Sequence, residues 1–512
     1  MSVTRSCRRV SVGIIGSGFA GIAAAIALTR AGFGDDLVIL EKADDIGGVW
    51  RDNTYPGATC DIPSVLYCFS FAPNPAWRSR YAARADIHAY LKQTAVAYGI
   101  DRRIRLGTEA TAAEFDPVDG RWRICCGGSE ARGEVVEVDV LIAAVGQLSR
   151  PVVPVLPGAE TFGGGSFHSA RWDHGCGLAG KRVAVIGTGA SAAQFIPKIQ
   201  PIAEHLTIFQ RSAPYVLPKL DRRYRGSAPR RLLSLTHAAS RIGYAALFEL
   251  LTLGLITDAG IPIKAMTKMA GHHLRRQVAD PTLRAALTPD YRMGCKRVLL
   301  SDDYYPAVAS SNVRLVTEPI TEIIPGGIRA ADGVTHPVDV IIYGTGFAAT
   351  EFLAPLNITG LGGLRLAAAW AVGAGGHLGM TVPGFPSMFM MYGPNTNLGA
   401  GSIVSMIEPQ ARYIAQAVRL LGTTGAAYLD IRPEAAGRFE DEMRRRLALS
   451  TWTRCRNWYR DPAGRVATNW PGTVAEYARR TRTLSPGDYH LAAPAVTGNR
   501  TAEETVPVRR RI

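Results

Sequence analysis

The sequence has 512 residues, 47% of them hydrophobic and 20% charged, which is typical of a globular chain of roughly two to four domains and excludes an intrinsically disordered protein. The formal net charge of +15 favours anionic ligands, but no basic run alternates with aromatic residues, so we expect no nucleic-acid partner. The eight cysteines show neither CxxC pairs nor zinc-ligand spacing, and no signal peptide precedes the first predicted strand. We therefore expect no metal site, no disulfide and a reducing, cytoplasmic location.

The N-terminal stretch VSVGIIGSGFAGIAAAIALTRAG predicts a short strand, a glycine-rich turn and an apolar helix. Gly16 permits the tight turn, Gly18 lets the backbone approach a pyrophosphate, and Gly21 lets helix and strand pack closely. The next predicted strand, LVILEK, ends at Glu41, about 20 residues after Gly21, where a carboxylate accepts hydrogen bonds from ribose hydroxyls. A plain strand–turn–helix unit is the alternative. The candidate cofactor ligands here are Gly16, Gly18, Phe19, Gly21, Glu41 and Lys42.

The same pattern recurs in KRVAVIGTGASAAQFIPKI, where the candidate ligands are Gly187, Thr188, Gly189, Ala190, Ser191 and Ala192. The strand that follows ends in Arg211 and Ser212 without an acidic residue. A carboxylate there would repel a 2′-phosphate, whereas Arg211 can pair with one. This second unit therefore predicts an NADPH site, and the first unit, by elimination and by Glu41, an FAD site.

Two buried strands, in VDVLIAAVGQLSRPVVPVLPG and in VDVIIYGTGFAAT, indicate crossings between two domains. We predict an α/β fold with two Rossmann-like dinucleotide-binding domains, for FAD and NADPH, and a helical insertion in the second. The predicted segments are residues 1–150 (FAD domain, first part), 151–175 (linker), 176–337 (NADPH domain, with the insertion at about 218–289), 338–481 (FAD domain, second part) and 482–512 (an irregular, disordered tail).

The longest apolar run, GYAALFELLTLGLI at residues 243–256, is too short to span a bilayer and contains Glu249. We therefore expect a buried helix and no transmembrane segment. The neighbouring stretch DRRYRGSAPRRLL makes this helical region compatible with peripheral contact at a membrane surface.

Three further stretches follow fixed patterns, and together they carry a resemblance. FGGGSFHSARWD matches F-x-G-x-x-x-H-x-x-x-W-[P/D], GGVWRDNTYPGATCD matches [A/G]-G-x-W-x-x-x-x-[F/Y]-P-[G/M]-x-x-x-D, and GCKR occupies residues 294–297. From about residue 10 to about 475 the chain resembles the type I Baeyer–Villiger monooxygenases among the class B flavoprotein monooxygenases. The matching residues are Phe162, Gly164, His168, Trp172 and Asp173 in the first pattern, and Gly47, Gly48, Trp50, Tyr55, Pro56, Gly57 and Asp61 in the second.

The resemblance implies an enzyme that uses FAD, NADPH and O2. Oxygen adds at the flavin C4a position, and the resulting peroxide inserts one oxygen atom beside a ketone carbonyl to give an ester or lactone. Such a buried anion needs a fixed positive charge, so we assign Arg297 as a catalytic residue, with Asp61 as the catalytic acid that orients it. Lys296 would bind the NADPH 2′-phosphate together with Arg211 and Ser212. An exposed basic turn is the alternative.

The resemblance also implies further cofactor contacts, which are Gly48, Val49, Trp50, Arg51, Asp61, Tyr67, Ala110, Arg297 and Trp458. Aromatic core packing is the alternative for Trp50, Tyr67 and Trp458. Residues 391–402 resemble the segment that closes over the flavin, and Trp458 and Tyr459 would belong to a mobile covering loop. His168 would act as a conformational residue of the linker, with Gly163, Gly164 and Gly165 supplying backbone freedom. A packed linker histidine remains the alternative.

Four other functions share part of this pattern: a flavin-containing monooxygenase acting on sulfur or nitrogen, an N-hydroxylating enzyme, an uncoupled NADPH oxidase and a non-enzymatic redox sensor. Trp172, Asp173 and Arg297 argue against a flavin-containing monooxygenase acting on sulfur or nitrogen. The apolar insertion argues against an N-hydroxylating enzyme. Only product analysis distinguishes an uncoupled NADPH oxidase from a Baeyer–Villiger monooxygenase. A non-enzymatic redox sensor would not need Asp61 and Arg297 together. The apolar insertion favours a hydrophobic ketone. A monomer and a homodimer both remain open.

Overall fold

A computed structural model describes residues 9–224, 230–257 and 260–493. Within these ranges the helices, in chain order, are α1 (Phe19–Arg30), α2 (Val49–Asp52), α3 (Arg84–Ala97), α4 (Ala190–Ile199), α5 (Arg230–Ile256), α6 (Ile261–Gln277), α7 (Pro281–Ala286), α8 (Tyr304–Val308), α9 (Leu366–Ala369), α10 (Val404–Thr424), α11 (Pro433–Ala448) and α12 (Val474–Arg480).

The strands of the same ranges, in chain order, are β1 (Val12–Ile15), β2 (Leu37–Leu40), β3 (Ile104–Arg105), β4 (Glu109–Asp116), β5 (Arg121–Gly127), β6 (Val135–Val138), β7 (Val140–Ala143), β8 (Gly165–His168), β9 (Arg182–Ile186), β10 (His205–Phe209), β11 (Val216–Leu217), β12 (Leu299–Leu300), β13 (Val313–Val316), β14 (Ile320–Ile324), β15 (Gly327–Ala330), β16 (Thr335–Pro337), β17 (Val340–Tyr343), β18 (Asn357–Thr359), β19 (Met388–Met390), β20 (Tyr428–Ile431) and β21 (Tyr489–Ala492).

The first parallel sheet has the strand order β19-β7-β1-β2-β3. Its strands β1, β2 and β7 are continuous apolar runs because the sheet is buried on both faces. Helix α1 follows β1 through the glycine turn and is buried along most of its length against the core that also contains α10. The carboxyl ends of β1 and β2 therefore place Gly16 and Glu41 at the same edge of the sheet.

The second parallel sheet has the order β13-β10-β9-β17-β8, and α4 follows β9 as α1 follows β1. The two predicted Rossmann-like units are thus confirmed. Strand β17 belongs to this second sheet, so the predicted return to the first sheet at residue 338 is too early. Strand β8 lies within the predicted linker and forms the edge of the same sheet by pairing with β17.

A mixed sheet, β18-β4-β5-β6, packs beside the first domain, and β20 pairs with β21 in an antiparallel ribbon. The prediction of an irregular tail from residue 482 is wrong for its first part, because strand β21 pairs with β20 and buries Tyr489. Residues 494–512, the rest of that predicted tail, lie outside the described residues.

The insertion is helical as predicted and contains α5, α6 and α7. Helix α5 has 27 residues, which is longer than the apolar run suggested. By length and composition its part Thr236–Ile256 could cross a membrane, yet only 17% of that window is buried in the protein. The prediction of a buried helix is therefore wrong for most of the apolar run: among residues 236–256, one face contacts the protein and the other is exposed.

Candidate active site

The first glycine turn forms a cradle for a dinucleotide from backbone alone. Gly16 has φ +101°, and a Cβ on Gly21 would lie 1.9 Å from the carbonyl oxygen of Gly16, so neither position admits a side chain. Gly48, with φ +55°, faces Gly18: a Cβ on Gly48 would lie 3.4 Å from the Gly18 Cα. The Gly18 and Gly48 backbones are thus in contact, and with no side chain at either position the start of α1 fits the pyrophosphate of FAD.

Glu41 lies at the end of β2 and is buried, as the predicted ribose contact requires. Its Oε2 accepts hydrogen bonds from the Ser17 amide (3.0 Å) and the Ser17 hydroxyl (2.7 Å). Its Oε1 accepts from the Ala43 amide (3.1 Å) and from Arg51 Nη1 (2.9 Å). The protein thus already supplies about four donors, the capacity of a carboxylate. A ribose hydroxyl must share or replace one of them, and the rotatable Ser17 hydroxyl is the simplest to displace.

The aromatic candidates of the first site pack against one another. Trp50 Nε1 donates to the Tyr67 hydroxyl at 3.2 Å, and the Tyr67 and Phe19 rings meet edge to face with centroids 5.2 Å apart. Phe19 is buried, so its backbone rather than its ring faces the cradle. Val49 and Trp50 begin α2 directly after Gly48. Ala110 lies on β4, in the sheet beside this domain, and Lys42 is exposed.

The second glycine turn brings together the residues predicted to bind a 2′-phosphate. Lys296 Nζ donates to the Ser212 hydroxyl at 2.7 Å, and the Thr188 hydroxyl donates to the Ser212 carbonyl at 3.3 Å. Burial and the nearby guanidinium of Arg211 lower the pKa of Lys296 below its ordinary value. Two cations that repel each other beside a helix start fit a phosphate dianion, which would relieve that repulsion.

The rest of this turn is built as the sequence predicts. Gly187 has φ +106°, and a Cβ there would lie 2.5 Å from the Gly344 carbonyl oxygen. Gly189 and Ala190 are exposed at the start of α4, while Ala192 is buried against the sheet. Ser191, between Ala190 and Ala192, is half-buried.

Arg297 and Asp61, 236 residues apart in sequence, form an ion pair. Arg297 Nη2 and Nε lie 2.6 and 2.8 Å from Asp61 Oδ2. The Asp61 carboxylate raises the pKa of Arg297 above its ordinary value, so the guanidinium stays charged at every pH that the fold tolerates. Both side chains keep 27% of their surface exposed, so the guanidinium can still contact a ligand.

Two tyrosines lie near this ion pair. Tyr459 is fully buried, its hydroxyl has no hydrogen-bond partner among the described residues, and burial raises its pKa to about 12 while the Arg297 charge opposes that shift. The Tyr392 hydroxyl donates to Asn397 Oδ1 at 2.7 Å. Tyr392 and Asn397 belong to the predicted closing segment 391–402. Trp458 packs on Tyr459 with ring centroids 4.3 Å apart and stays half-buried.

The expectation of no disulfide is wrong. Cys295 and Cys455 form one, across 160 residues of sequence. Asn457 Nδ2 adds hydrogen bonds to the carbonyl oxygens of Cys295 (2.9 Å) and Trp452 (2.8 Å). The segment carrying Trp458 and Tyr459 is therefore fastened to the Lys296–Arg297 segment. The pairing is a tertiary contact between two single cysteines, so no spacing pattern could predict it.

The second matched pattern connects the two domains. Tyr55 donates to Gln194 Oε1 at 3.0 Å, and Gln194 Nε2 donates to the Thr59 carbonyl at 3.0 Å. Gln194 lies on α4, directly after the second glycine turn. The loop that ends at Asp61 is thus held against the NADPH unit. Gln194 and Ser17 were not predicted from the sequence, because polar residues inside a helix or a turn carry no distinctive pattern.

The linker pattern is ordered. His168 is buried, its Nδ1 accepts from the Ala170 amide at 3.0 Å, and burial lowers its pKa. Trp172 packs between Phe167 and Phe195, and Asp173 caps the following turn. The predicted role of the glycines as sources of backbone freedom needs correction, since Gly163, Gly164 and Gly165 do not adopt positive φ. A Cβ on Gly164 would lie 2.1 Å from the Asp339 carbonyl oxygen, so close packing requires that glycine. The Phe162 ring packs over Gly164.

Comparison with known proteins agrees with this site. Residues 9–355 match the model of the flavin-binding monooxygenase-like family. A Baeyer–Villiger monooxygenase of Streptomyces coelicolor is 42% identical over 96% of this chain and 95% of its own. Cyclohexanone monooxygenase from Rhodococcus sp. Phi1 bound to NADP⁺ superposes with a TM-score of 0.84 at 26% identity, over 94% of this chain and 99% of its own. The enzyme OTEMO in complex with FAD and NADP has a TM-score of 0.82 at 26% identity, over the same shares.

The chain thus combines two glycine-rich turns at helix starts, the cations Arg211 and Lys296 beside Ser212, and a partly exposed arginine–aspartate pair. The chain therefore belongs to the flavin-binding monooxygenase-like family and, within it, to the FAD- and NADPH-dependent Baeyer–Villiger monooxygenases.

Proposed function

We propose that Arg297 is the catalytic cation of this monooxygenase and that Asp61 is the residue that positions it. The observation that carries this proposal is the ion pair itself: the guanidinium is charged, oriented from one side by Asp61 and still partly exposed on the other. When bound, FAD reduced by NADPH would supply the electrons that activate O2. Arg297 stabilises the negative charge that develops on that oxygen and on the former carbonyl oxygen of the ketone.

The two cofactors would occupy the two glycine turns. In the first, the backbone around Gly18 and Gly48 at the start of α1 would bind the FAD pyrophosphate, and Glu41 would accept a hydrogen bond from the ribose. In the second, Arg211, Ser212 and Lys296 would bind the NADPH 2′-phosphate. Trp50, Tyr67 and Ala110 remain proposed FAD contacts, and Trp458 a proposed contact of NADP or substrate.

The linker residues would set how the two units sit together. His168, Trp172 and Asp173 hold the segment between the units through an edge strand, ring packing and a turn cap. A shift of the NADPH unit would have to break these contacts. We therefore propose a conformational role for this linker rather than proton transfer by His168, whose imidazole is kept neutral by burial.

The substrate we propose is a hydrophobic ketone. The inner face of α5 brings Leu255 and Phe248 against the segments that contain Gly294 and Gly401, which flank the Arg297 and closing segments. Apolar side chains at this border favour an apolar substrate. We propose a cytoplasmic location, where NADPH is supplied; five described cysteines are free, and the Cys295–Cys455 disulfide would have to persist in that reducing setting.

The test is aerobic turnover of the purified flavoprotein with NADPH and a panel of linear, cyclic and aryl ketones under ¹⁸O₂. Mass spectrometry should find one labelled oxygen in an ester or lactone. Consumption of NADPH with hydrogen peroxide as the only product, together with oxygenation of added sulfides or amines, would instead assign a flavin-containing monooxygenase acting on sulfur or nitrogen.

A further inference from the structure

The helical insertion exposes an unusual concentration of large apolar side chains. Ile242, Leu247, Leu250 and Leu253 of α5 are exposed, and so are Ile261 and Met269 of α6. Ile242 keeps 72% of its surface and Ile261 keeps 83%. On α5, Ile242, Ala246, Leu250 and Leu253 follow one another at helical spacing and so form one stripe. Large exposed apolar patches of this kind mark a binding surface.

Other side chains of α5 fix the helix to the protein. Arg241 Nη1 donates to the carbonyl oxygens of Val65 (2.8 Å) and Cys68 (3.2 Å), and Glu249 Oε1 accepts from the Ala475 amide at 3.0 Å. Thr252 and Leu255 are buried. The helix therefore lies along the body of the protein. Leaving it to cross a bilayer would break these contacts, so the apolar composition of α5 requires an explanation other than a membrane span.

The exposed face of α6 adds positive charge to this surface. Lys264, Lys268, Arg275 and Arg276 are exposed, and the sequence of α6 contains no aspartate or glutamate. Its buried side chains, Ala270, His273 and Leu274, lie on the other face. The only acidic residue of α5, Glu249, is turned towards the protein backbone. Within the described part of the insertion, the α5–α6 surface thus combines exposed apolar side chains with exposed cations.

From this combination we infer that the outer face of α5 and α6 binds an anionic lipid surface, with the helices lying in the plane of the interface. Leucine and isoleucine side chains would enter the acyl boundary while lysine and arginine pair with lipid phosphates. A second copy of the chain fits less well, because a symmetric dimer through this face would bring like charges together. The inner face of the same helix borders the candidate active site through Leu255, so the enzyme would meet apolar ketones where they dissolve.

The test uses the full-length holoenzyme and does not depend on turnover. Sedimentation with vesicles of phosphatidylglycerol and phosphatidylcholine should recover the protein with the lipid, pure phosphatidylcholine should recover much less, and added salt should release it. Lys264→Glu with Lys268→Glu should weaken binding to the anionic vesicles by about tenfold or more. The triple change Ile242→Ser, Leu250→Ser and Leu253→Ser should weaken it at low and high salt alike.

Val155→Ser and Val372→Ser are matched controls, since both valines are highly exposed but lie outside the insertion. Each should bind vesicles as the unchanged protein does. Flavin content and circular dichroism check that every variant is folded, and the lysine pair, being fully on the surface, keeps the test valid if the triple change unfolds the protein. Equal recovery with both lipid compositions, or a dimer in light scattering that only the triple change dissociates, would overturn the inference.

Discussion

The first glycine turn lies beside an acidic side chain, Glu41. The second lies beside Ser212 and two cations, Arg211 and Lys296. Glu41 is buried, and protein donors occupy both of its oxygens. Arg211 is exposed, and Lys296 is left beside a second cation with its pKa lowered by burial and by that charge. The first site is electrostatically complete before a ligand arrives, and the second is not.

This difference matches two ways of using a cofactor. A preformed, buried cradle reorganises only at the Ser17 hydroxyl when it binds its ligand, which favours a resident flavin. Exposed cations gain their partner only when the phosphate arrives, and their interaction is screened by solvent, which favours a cofactor that exchanges in each catalytic cycle. The ion pair of Arg297 and Asp61 joins the two sites, since Asp61 follows the FAD-side loop and Arg297 follows Lys296.

The largest effect is expected when a side chain is added to the first glycine cradle, because flavin binding should then be lost. Gly48→Val puts a branched side chain at φ +55° and against the Gly18 backbone at the start of α1. We expect flavin content, measured by absorbance of the purified protein, to fall to about a tenth or less of the unchanged level.

The matched control for that change is Gly32→Val. Gly32 also has positive φ, +94°, but nothing lies within 4 Å of its Cβ position. This variant should carry the backbone strain and keep its flavin. Equal flavin loss in both variants would show that backbone strain, and not the new side chain beside Gly18, is responsible.

The second site should respond selectively to loss of a cation. Arg211→Ala removes one phosphate contact, so the KM for NADPH should rise by about 10- to 100-fold, the value of one charge-assisted interaction. The KM for NADH, which lacks the 2′-phosphate, should stay unchanged, and Arg222→Ala, an exposed cation of the same unit, should change neither. Steady-state kinetics with both cofactors measures the effect, and an equal rise for both would contradict the phosphate assignment.

A smaller effect is expected from pH. The protonated form of Lys296 binds phosphate, and its pKa is lowered, so affinity for NADPH is complete at low pH and is lost as pH rises through that lowered value. The KM for NADPH should therefore begin to increase at a lower pH than the titration of an ordinary lysine would allow. Lys296→Arg should remove this increase because arginine stays charged. A KM for NADPH that rises identically in the arginine variant would assign the titration to another group.

The parts predictable from sequence are those that follow from local pattern. Glycines at fixed spacing after an apolar strand predicted both turns, and Glu41 and Arg211 were predicted because each follows the next strand of its unit. Contacts between segments that are separated in sequence could not be predicted in this way. They are the disulfide of Cys295, the bonds from Ser17 to Glu41 and the contact of Gln194 with Thr59. Strand β21 and the exposed face of α5 were missed because pairing partners and burial are set by the tertiary fold, not by composition.

The most direct measurement separates the two half-reactions of Arg297→Ala in a stopped-flow spectrometer. The account predicts that flavin still binds and that NADPH still reduces it within a few-fold of the unchanged rate, because the cradle and phosphate residues are intact. Ester or lactone formation under oxygen should fall by about 100- to 1000-fold or more, since the charge that stabilises the developing anion is gone. Ester formation near the unchanged rate would contradict the central claim.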